Sequence, residues 1–544
     1  MKKLRLLALV TASVLSLSLL GCSDGIHWRF GQDDESSETS SDSENKDDKD
    51  KDDDDDTPSV DIDTVKEHVE AMLEHTEESG NEQAVSEDIS TLINDLDSIS
   101  EELSYLTMDY YTDWYSTRLE KKYDALYEDY YVAYELISYG FHNGYLVEEY
   151  AHLFEPYIDP EYVEYYTDSY MSLRRLEGYT RVDYELLNED LDEYFDIAYD
   201  DDLSDKEKNL RCAELYLTIL SDYDTESIYE LYNRDYTAEN IISLSKLVKE
   251  EFLPVSVAYE DVFYDLPDSD ELYDGPVGPE NPFEAVWDNA SRISPEFEKV
   301  AKNMKDNSLY VLADGNDCYD GSFTTDLPLQ NSSIIYLYQY GDYYDLITAI
   351  HESGHHYAYT FDDTSTYLSG NNIDIAEIQS QGLEMLFIPL YQDICGDSAD
   401  AMAVMNLYSI VDSVLSGFIV GEFELTVLEN LDSMTPEDVV ELFDELYGEY
   451  NPDAELYMIT HIFESPGYYI SYGVSALASL DIWHTSLTDY DKAVEMYEKI
   501  VRVESNDKEN TFSASLEKCG FNNVLDNDFI LYIADALEKY ADSF

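Results

Sequence analysis

Apolar and charged residues alternate with a helical period along most of this 544-residue chain. From Val65 to about Tyr264, Leu, Ile and Tyr recur every three or four positions among charged residues, which is the spacing of one helix face. Residues 265–282 interrupt this pattern with four prolines and two glycines, so we interpret them as a loop. Helical spacing returns at about Asp342 and continues, with breaks, to the end.

A short β-prone segment lies between Asp314 and Gly341. Two Asp-Gly turn signals precede the run from Ser333 to Tyr338, which is rich in Ile and Tyr, and we predict a hairpin here. The whole pattern predicts a mainly α fold. We expect residues 61–544 to form one large helical body of two lobes with a small antiparallel β-sheet.

The first residues have the features of a targeting segment. Three basic residues within the first five positions precede an apolar run of about fifteen residues, shorter than the roughly twenty that a spanning helix needs. The run ends in Leu-Leu-Gly-Cys at Cys22, which resembles the bacterial lipobox. We therefore expect residues 1–21 to be a lipoprotein signal peptide. A lipid on Cys22 would then hold the protein on the extracytoplasmic side of a bacterial membrane.

The chain is strongly acidic, most densely in the segment that follows Cys22. Between Asp33 and Asp56 there are 14 acidic residues against three lysines, so we expect 22–60 to be an extended, disordered stalk. The formal net charge of the chain is −91. Such a surface repels phosphate backbones and anionic headgroups, which excludes nucleic acid as a partner and leaves anchoring to the lipid.

The remaining cysteines are Cys212, Cys318, Cys395 and Cys519, and none forms a CxxC pair. Their wide spacing does not fit a zinc cluster. One or two disulfides and free buried thiols both remain open, and the sequence does not decide the oligomeric state.

The strongest chemical signal is His351-Glu352-Ser353-Gly354-His355, an HExxH motif. On a helix, positions i and i+4 lie on one face, so both imidazoles can reach a single tetrahedral metal ion. Glu352 lies beside the first of these ligands, where it can polarise water. The preceding six residues contain no helix breaker, which favours the helical interpretation.

A catalytic zinc ion needs a third protein ligand. The downstream candidates are Glu377 and Glu384, which are seven residues apart and therefore fall on one face of a helix. One can bind the metal while the other hydrogen-bonds a ligand. Spacing alone does not decide which does which.

The run HESGHH followed by EIQSQGLE resembles the thimet oligopeptidase and oligoendopeptidase F family of zinc metallopeptidases, over about residues 314–390. The resemblance implies that Glu377 is the third zinc ligand and that Glu384 supports a ligand. It also places Ser333–Gln339 where the family has an edge strand that pairs with substrate backbone. A zincin-type helical body enclosing a channel for short peptides is the fold it implies.

A second segment, residues 461–472, resembles the family's His…Tyr-x-x-x-Tyr segment. The resemblance implies that His461, Tyr468 and Tyr472 stabilise the oxyanion or grip the substrate. If the segment is helical, Tyr468 and Tyr472 share a face and Tyr469 does not. Ordinary tyrosine packing is the alternative in a chain with 51 tyrosines. With this segment, the active-site core spans about residues 314–480.

The sequence thus predicts a lipid-anchored, extracytoplasmic metallopeptidase that uses one Zn²⁺ ion to hydrolyse oligopeptides. One alternative is a non-catalytic lipoprotein that binds peptides or solutes on a peptidase-like fold. Another is a zinc hydrolase that acts on other bonds, such as cell-wall cross-links. Cleavage preference, the choice between endo- and exo-cleavage and the physiological substrate are not determined by the sequence.

Overall fold

The computed structural model describes residues 60–544, apart from 168–190 and the single positions 159, 192, 201, 222, 268, 274 and 371. The predicted signal peptide, Cys22 and nearly all of the predicted stalk lie outside the described residues. The first described helix begins at Ile62. Asp61 caps it, since its carboxylate accepts a hydrogen bond from the Thr64 amide at 2.8 Å.

Helices form most of the described chain, as the apolar spacing predicts. Those before the sheet are α1 Ile62–Glu77, α2 Glu82–Thr112, α3 Thr117–Tyr145, α4 Ala151–Phe154, α5 Val163–Thr167, α6 Asp205–Leu220, α7 Thr225–Leu231, α8 Ala238–Asp265, α9 Phe283–Ile293 and α10 Pro295–Asn307. Those after it are α11 Tyr344–Tyr359, α12 Ile373–Phe387, α13 Tyr391–Cys395, α14 Ala399–Glu429, α15 Pro436–Tyr447, α16 His461–Glu464, α17 Tyr469–Ser486, α18 Tyr490–Ile500, α19 Phe512–Cys519 and α20 Asn527–Ala541. The predicted loop at 265–282 is confirmed, with one 3₁₀ turn inside it.

The sheet has three described strands: β1 Tyr310–Ala313, β2 Phe323–Leu327 and β3 Ser332–Tyr338. Strands β2 and β3 pair antiparallel across a short 3₁₀ turn at Pro328–Gln330, so a hairpin lies in the predicted segment. Its turn is not at the Asp-Gly positions, which connect β1 and β2, two strands that do not pair with each other. Strand β1 pairs with β3 in parallel, so the sheet is mixed and the expectation of an antiparallel sheet is wrong. A four-residue strand preceded by a helix carries too little sequence pattern to be recognised.

The expectation that Ser333–Gln339 is an edge strand is also wrong. The strand order is β1-β3-β2, so β3 is central and both of its sides are paired. Its residues Ile334 to Leu337 are at most 5% exposed, and a continuous apolar run of this kind is typical of a strand covered on both faces. The edges of the sheet are β1 and β2.

The apolar interior is divided into two clusters, which agrees with the predicted two lobes. One cluster combines α1, α2 and α3 with the sheet, and the other is built from the helices between α6 and α20. Helix α11 contributes Ala349 to the first cluster and Ile350 to the second. The HExxH helix therefore lies where the two lobes meet.

Ile373–Glu429 contains an apolar window with the length and hydropathy of a membrane span. However, 72% of that window is buried inside the molecule. Helix α14 packs against α8 and α17. Its apolar character is therefore accounted for by its place in the second cluster.

The four described cysteines are free thiols. Burial raises the pKa of both Cys212 and Cys395 to about 12, and that of Cys519 to about 11. Because the thiolate is the nucleophilic form, these three side chains are unsuited to nucleophilic catalysis.

Candidate active site

Helix α11 carries the HExxH motif and lies at the junction of the lobes. Helix α12 packs closely across α11. A Cβ atom on Gly354 would lie 2.5 Å from the carbonyl oxygen of Gln379 and 2.7 Å from the Cα atom of Ser380. The glycine within the motif therefore permits the approach of α12. That approach brings a carboxylate from α12 to the two imidazoles of α11.

Three donor atoms converge at this crossing. The Nε2 atoms of His351 and His355 lie 3.5 and 4.0 Å from Oε2 of Glu377, and one ligand atom from each residue lies within 4.8 Å of the others. Tetrahedral ligands about 2.0–2.1 Å from a zinc ion are separated from one another by about 3.4 Å. The 3.5 Å separation matches this spacing and the others are wider, so the three residues could hold a single zinc ion.

Glu384 contacts the His351 imidazole on the nitrogen that faces away from Glu377. Its Oε1 lies 2.7 Å from Nδ1 of His351, and its Oε2 accepts a hydrogen bond from the Asn406 amide at 3.1 Å. A proton on Nδ1 leaves the lone pair on Nε2, the atom that faces Glu377. The structure thus distinguishes the two glutamates that spacing alone left equivalent: Glu377 faces both imidazoles, and Glu384 contacts only the far nitrogen of His351.

The charge states around the cluster suit a metal ligand set. Burial lowers the pKa of the His355 imidazole to about 4, so the ring is neutral at physiological pH. Only a neutral imidazole can donate its lone pair to a metal ion. The Glu377 side chain is 1% exposed, so its carboxyl group faces the two imidazoles away from solvent.

Glu352 is also buried, at 1% exposure, and it is held by a strand of the sheet. The Thr324 hydroxyl on β2 donates to its Oε2 at 2.7 Å, while Oε1 has no hydrogen-bond partner among the described residues. Burial raises the pKa of Glu352 to about 7, and the neighbouring His351 opposes this rise. A carboxylate with such a pKa can both accept and release a proton near neutrality.

The C-terminal segment approaches the same cluster. Tyr468 lies at the start of α17 and its hydroxyl donates to Oε1 of Glu377 at 3.4 Å. The Tyr468 ring lies 5.3 Å from the His461 ring and 5.1 Å from the Tyr472 ring, measured between centroids. The structure therefore brings all three predicted residues together. Tyr469 joins them at one side, 6.0 Å from His461.

Solved structures with the same architecture come from peptidases. Pz peptidase A, determined with an inhibitor, is 16% identical with a TM-score of 0.64, and the alignment covers 89% of this chain and 97% of that one. A Bacillus anthracis strain Ames protein described as an oligoendopeptidase F is 15% identical with a TM-score of 0.66, over 89% and 96% of the two chains. The chain has the oligoendopeptidase F fold.

No family model matches the chain. A 160-residue segment is 26% identical to methylthioribose-1-phosphate isomerases of Thermotoga petrophila and Thermotoga sp. strain RQ2. It covers 29% of this chain and 44% of each isomerase, so the chain spans less than half the length of the curated relatives it matches. The oligoendopeptidase F fold, by contrast, extends over 89% of the chain.

Sequence reasoning did not find every residue that shapes this site on the oligoendopeptidase F fold. Thr324 and Asn406 lie on β2 and α14, far along the chain from the groups they hold, and no spacing signal connects them. Asp374, whose carboxylate accepts a hydrogen bond from Ser471 of the C-terminal segment, offered a weak signal, since it lies one turn before Glu377 on the same helix. His356, the third histidine of the run, faces Ser333 at 2.7 Å instead of the cluster.

Proposed function

We propose that this chain is a zinc-dependent peptidase that hydrolyses peptide bonds in oligopeptides. The observation that carries the proposal is the convergence of His351, His355 and Glu377 beside the buried carboxylate of Glu352. The shared fold with peptidases of known structure supports peptide as the substrate class. The HExxH motif alone would fit other zinc hydrolases as well.

The roles of the side chains follow from their positions. Zn²⁺ at this ligand set supplies Lewis acidity, which activates water and polarises a carbonyl group. Glu352 accepts the proton of the attacking water and then delivers it to the departing amine. Thr324 fixes one oxygen of Glu352 and directs the other for proton transfer. Glu384 keeps the imidazole of His351 in the tautomer that binds metal.

Residues 461–472, here called the tyrosine segment, would stabilise the negative charge that develops on the substrate. Attack on the carbonyl places negative charge on its oxygen, and neutral donors in a desolvated site stabilise that charge. Tyr472 is our assigned donor, with His461 and Tyr468 beside it. The contact between Tyr468 and Glu377 supports this role, because Glu377 is one of the proposed metal ligands.

The decisive test is incubation of the purified chain with a random peptide pool, with and without a zinc chelator, followed by mass spectrometry. We expect cleavage that the chelator abolishes and that added Zn²⁺ restores. Peptide binding without any cleavage would favour the non-catalytic binding protein. Absence of both would contradict the proposal and leave only the fold.

We also propose that the peptidase is held outside the cell by lipid on Cys22. The basic start, the short apolar run and the Leu-Leu-Gly-Cys sequence support this. Expression with a radiolabelled fatty acid in a bacterial host tests it. We expect label on the wild-type chain in the membrane fraction and none on Cys22→Ser. An unlabelled wild-type chain would contradict the anchor while leaving the peptidase proposal intact.

A further inference from the structure

A buried arginine lies behind the tyrosine segment and is not one of the proposed metal ligands. Arg234 is in the connection between α7 and α8, and its side chain is 1% exposed. Its guanidinium is surrounded by tyrosine rings, and the nearest, Tyr232, has its centroid 4.5 Å away. In a chain with 30 basic residues against 121 acidic ones, a cation buried this deeply needs specific partners.

Those partners lie on two different parts of the active site. Nη2 of Arg234 donates to the Gly467 carbonyl at 2.8 Å and to the Ser471 hydroxyl at 2.9 Å, both in the tyrosine segment. The same guanidinium lies 3.4 Å from both carboxylate oxygens of Asp374 on α12. One side chain therefore connects the tyrosine segment to the helix that carries Glu377.

Ser471 also contacts Asp374 directly, so it interacts with both members of the ion pair. Its hydroxyl donates to Oδ1 of Asp374 at 2.5 Å, while the Tyr236 hydroxyl donates to Oδ2 at 2.8 Å. The Asp374 side chain is fully buried. Because Ser471 immediately precedes Tyr472 and Asp374 lies one turn before Glu377, the network fixes the start of α17 against α12.

Gly467 shows how tightly this segment is held. Its φ angle is +83°, in the left-handed region that favours glycine, and a Cβ atom there would lie 2.4 Å from Cγ2 of Ile228. Its amide donates to Glu424 of α14 at 2.8 Å. The backbone on both sides of Tyr468 is thus fixed by Glu424, Arg234 and Ser471.

We propose that Arg234, Asp374 and Ser471 act as positioning residues that hold Tyr468 and Tyr472 at the metal-ligand cluster. This inference rests on the proposed function. Oxyanion stabilisation demands donors placed within a fraction of an ångström, and Tyr468 and Tyr472 lie at the N-cap and in the first turn of α17, where helix geometry alone does not fix their position relative to α12.

The experiment compares two buried serines of α17. Ser471→Ala removes one hydroxyl from the network but leaves the Arg234–Asp374 ion pair in place. Ser479→Ala is the matched control, because Ser479 is equally buried on the same helix and its hydroxyl has no hydrogen-bond partner among the described residues. Both variants are assayed for peptide hydrolysis and for amide hydrogen exchange by mass spectrometry.

For Ser471→Ala we expect kcat to fall about tenfold with KM within about twofold of wild type, since misplaced donors weaken only the transition state. Amide exchange over residues 465–471 should be about tenfold faster than in wild type. Ser479→Ala should change neither quantity. In a background of Tyr468→Phe and Tyr472→Phe, Ser471→Ala should cost nothing further in kcat, because its effect passes through those hydroxyls.

Arg234→Lys provides a second variant, since an ammonium group keeps the charge but not the planar fork. We expect a larger fall in kcat and faster exchange than for Ser471→Ala. Exchange over 465–471 that stays at the wild-type rate in both variants would overturn the inference. A wild-type chain that cleaves no peptide would overturn the proposed function instead, and the exchange data would still decide the positioning role.

Discussion

The metal-ligand cluster and the tyrosine segment meet at Glu377 but are built in opposite ways. The cluster arises from two long helices, α11 and α12, whose crossing is set by Gly354. The tyrosine segment consists of the four-residue helix α16, a turn at Gly467 and the start of α17, and it is held by side chains from α12, α14 and the connection before α8. Local periodicity therefore aligns the histidines on α11 and the glutamates on α12, and one helix crossing joins them, whereas the tyrosine segment depends on tertiary contacts throughout.

The comparison predicts different failures for the two regions. A change in the cluster should remove the metal or the proton acceptor while the fold remains. A change in the tyrosine segment should leave the metal bound and weaken only catalysis or stability. The first three predictions below test this division, from the largest expected effect to the smallest, and the fourth tests the buried carboxylate of Glu424, which holds the tyrosine segment.

His355→Ala should abolish both zinc binding and peptide hydrolysis, since two protein ligands do not hold a catalytic zinc ion. Zinc content by mass spectrometry and turnover of a fluorogenic peptide measure the two effects. His484→Ala, a partly exposed histidine on α17, is the control and should keep full zinc content. Normal zinc content in His355→Ala would refute the ligand assignment.

Glu352→Gln should lower kcat by about 10²–10⁴-fold, the range for removal of a general acid–base group. Zinc content should stay at the wild-type level, because Glu352 is not in the ligand set. The substitution keeps the size of the side chain and its contact with Thr324. Retained turnover together with retained zinc would eliminate the general-base role.

Tyr472→Phe should lower kcat by about 10²-fold with zinc binding unchanged, as expected for the loss of one oxyanion donor. Tyr469→Phe removes a hydroxyl from a neighbouring ring of α17, 5.7 Å from the Tyr472 ring between centroids, and serves as the control. Steady-state kinetics on both variants measure the difference. Equal kcat values for the two variants would mean that Tyr472 packs but does not act on the substrate.

Glu424→Gln should change how stability depends on pH. Burial raises the pKa of Glu424 to about 7, above the value of about 4.3 in the unfolded chain. Because the pKa of Glu424 is raised in the folded state, its contribution to the free energy of unfolding is fully present below about pH 4.3 and is lost as pH rises through about 7. When pH rises from 5 to 8, the free energy of unfolding of the variant should therefore increase relative to that of wild type by on the order of 2 kcal/mol.

Urea unfolding of Glu424→Gln and wild type at both pH values measures this gain. The comparison between the two proteins cancels the self-repulsion of the acidic surface, which both share. A difference in stability that is the same at pH 5 and pH 8 would contradict the raised pKa of Glu424.

The sequence by itself determined the helical body, the hairpin and the ligand spacing. These follow from local rules: His351 and His355 are one helical turn apart, and Glu377 and Glu384 share a helix face. It also indicated the breaks, because proline and glycine act on their own backbone at 265–282.

Only the tertiary structure decided which glutamate faces both imidazoles, because positions on one helix face are equivalent until the partner helix is placed. It also decided that β3 is central, since pairing depends on β1 and β2. The network from Arg234 to Asp374 joins residues 140 positions apart, and the contact from Tyr468 to Glu377 spans 91. No periodicity reaches such distances, so side-chain packing and charge pairing alone set these contacts.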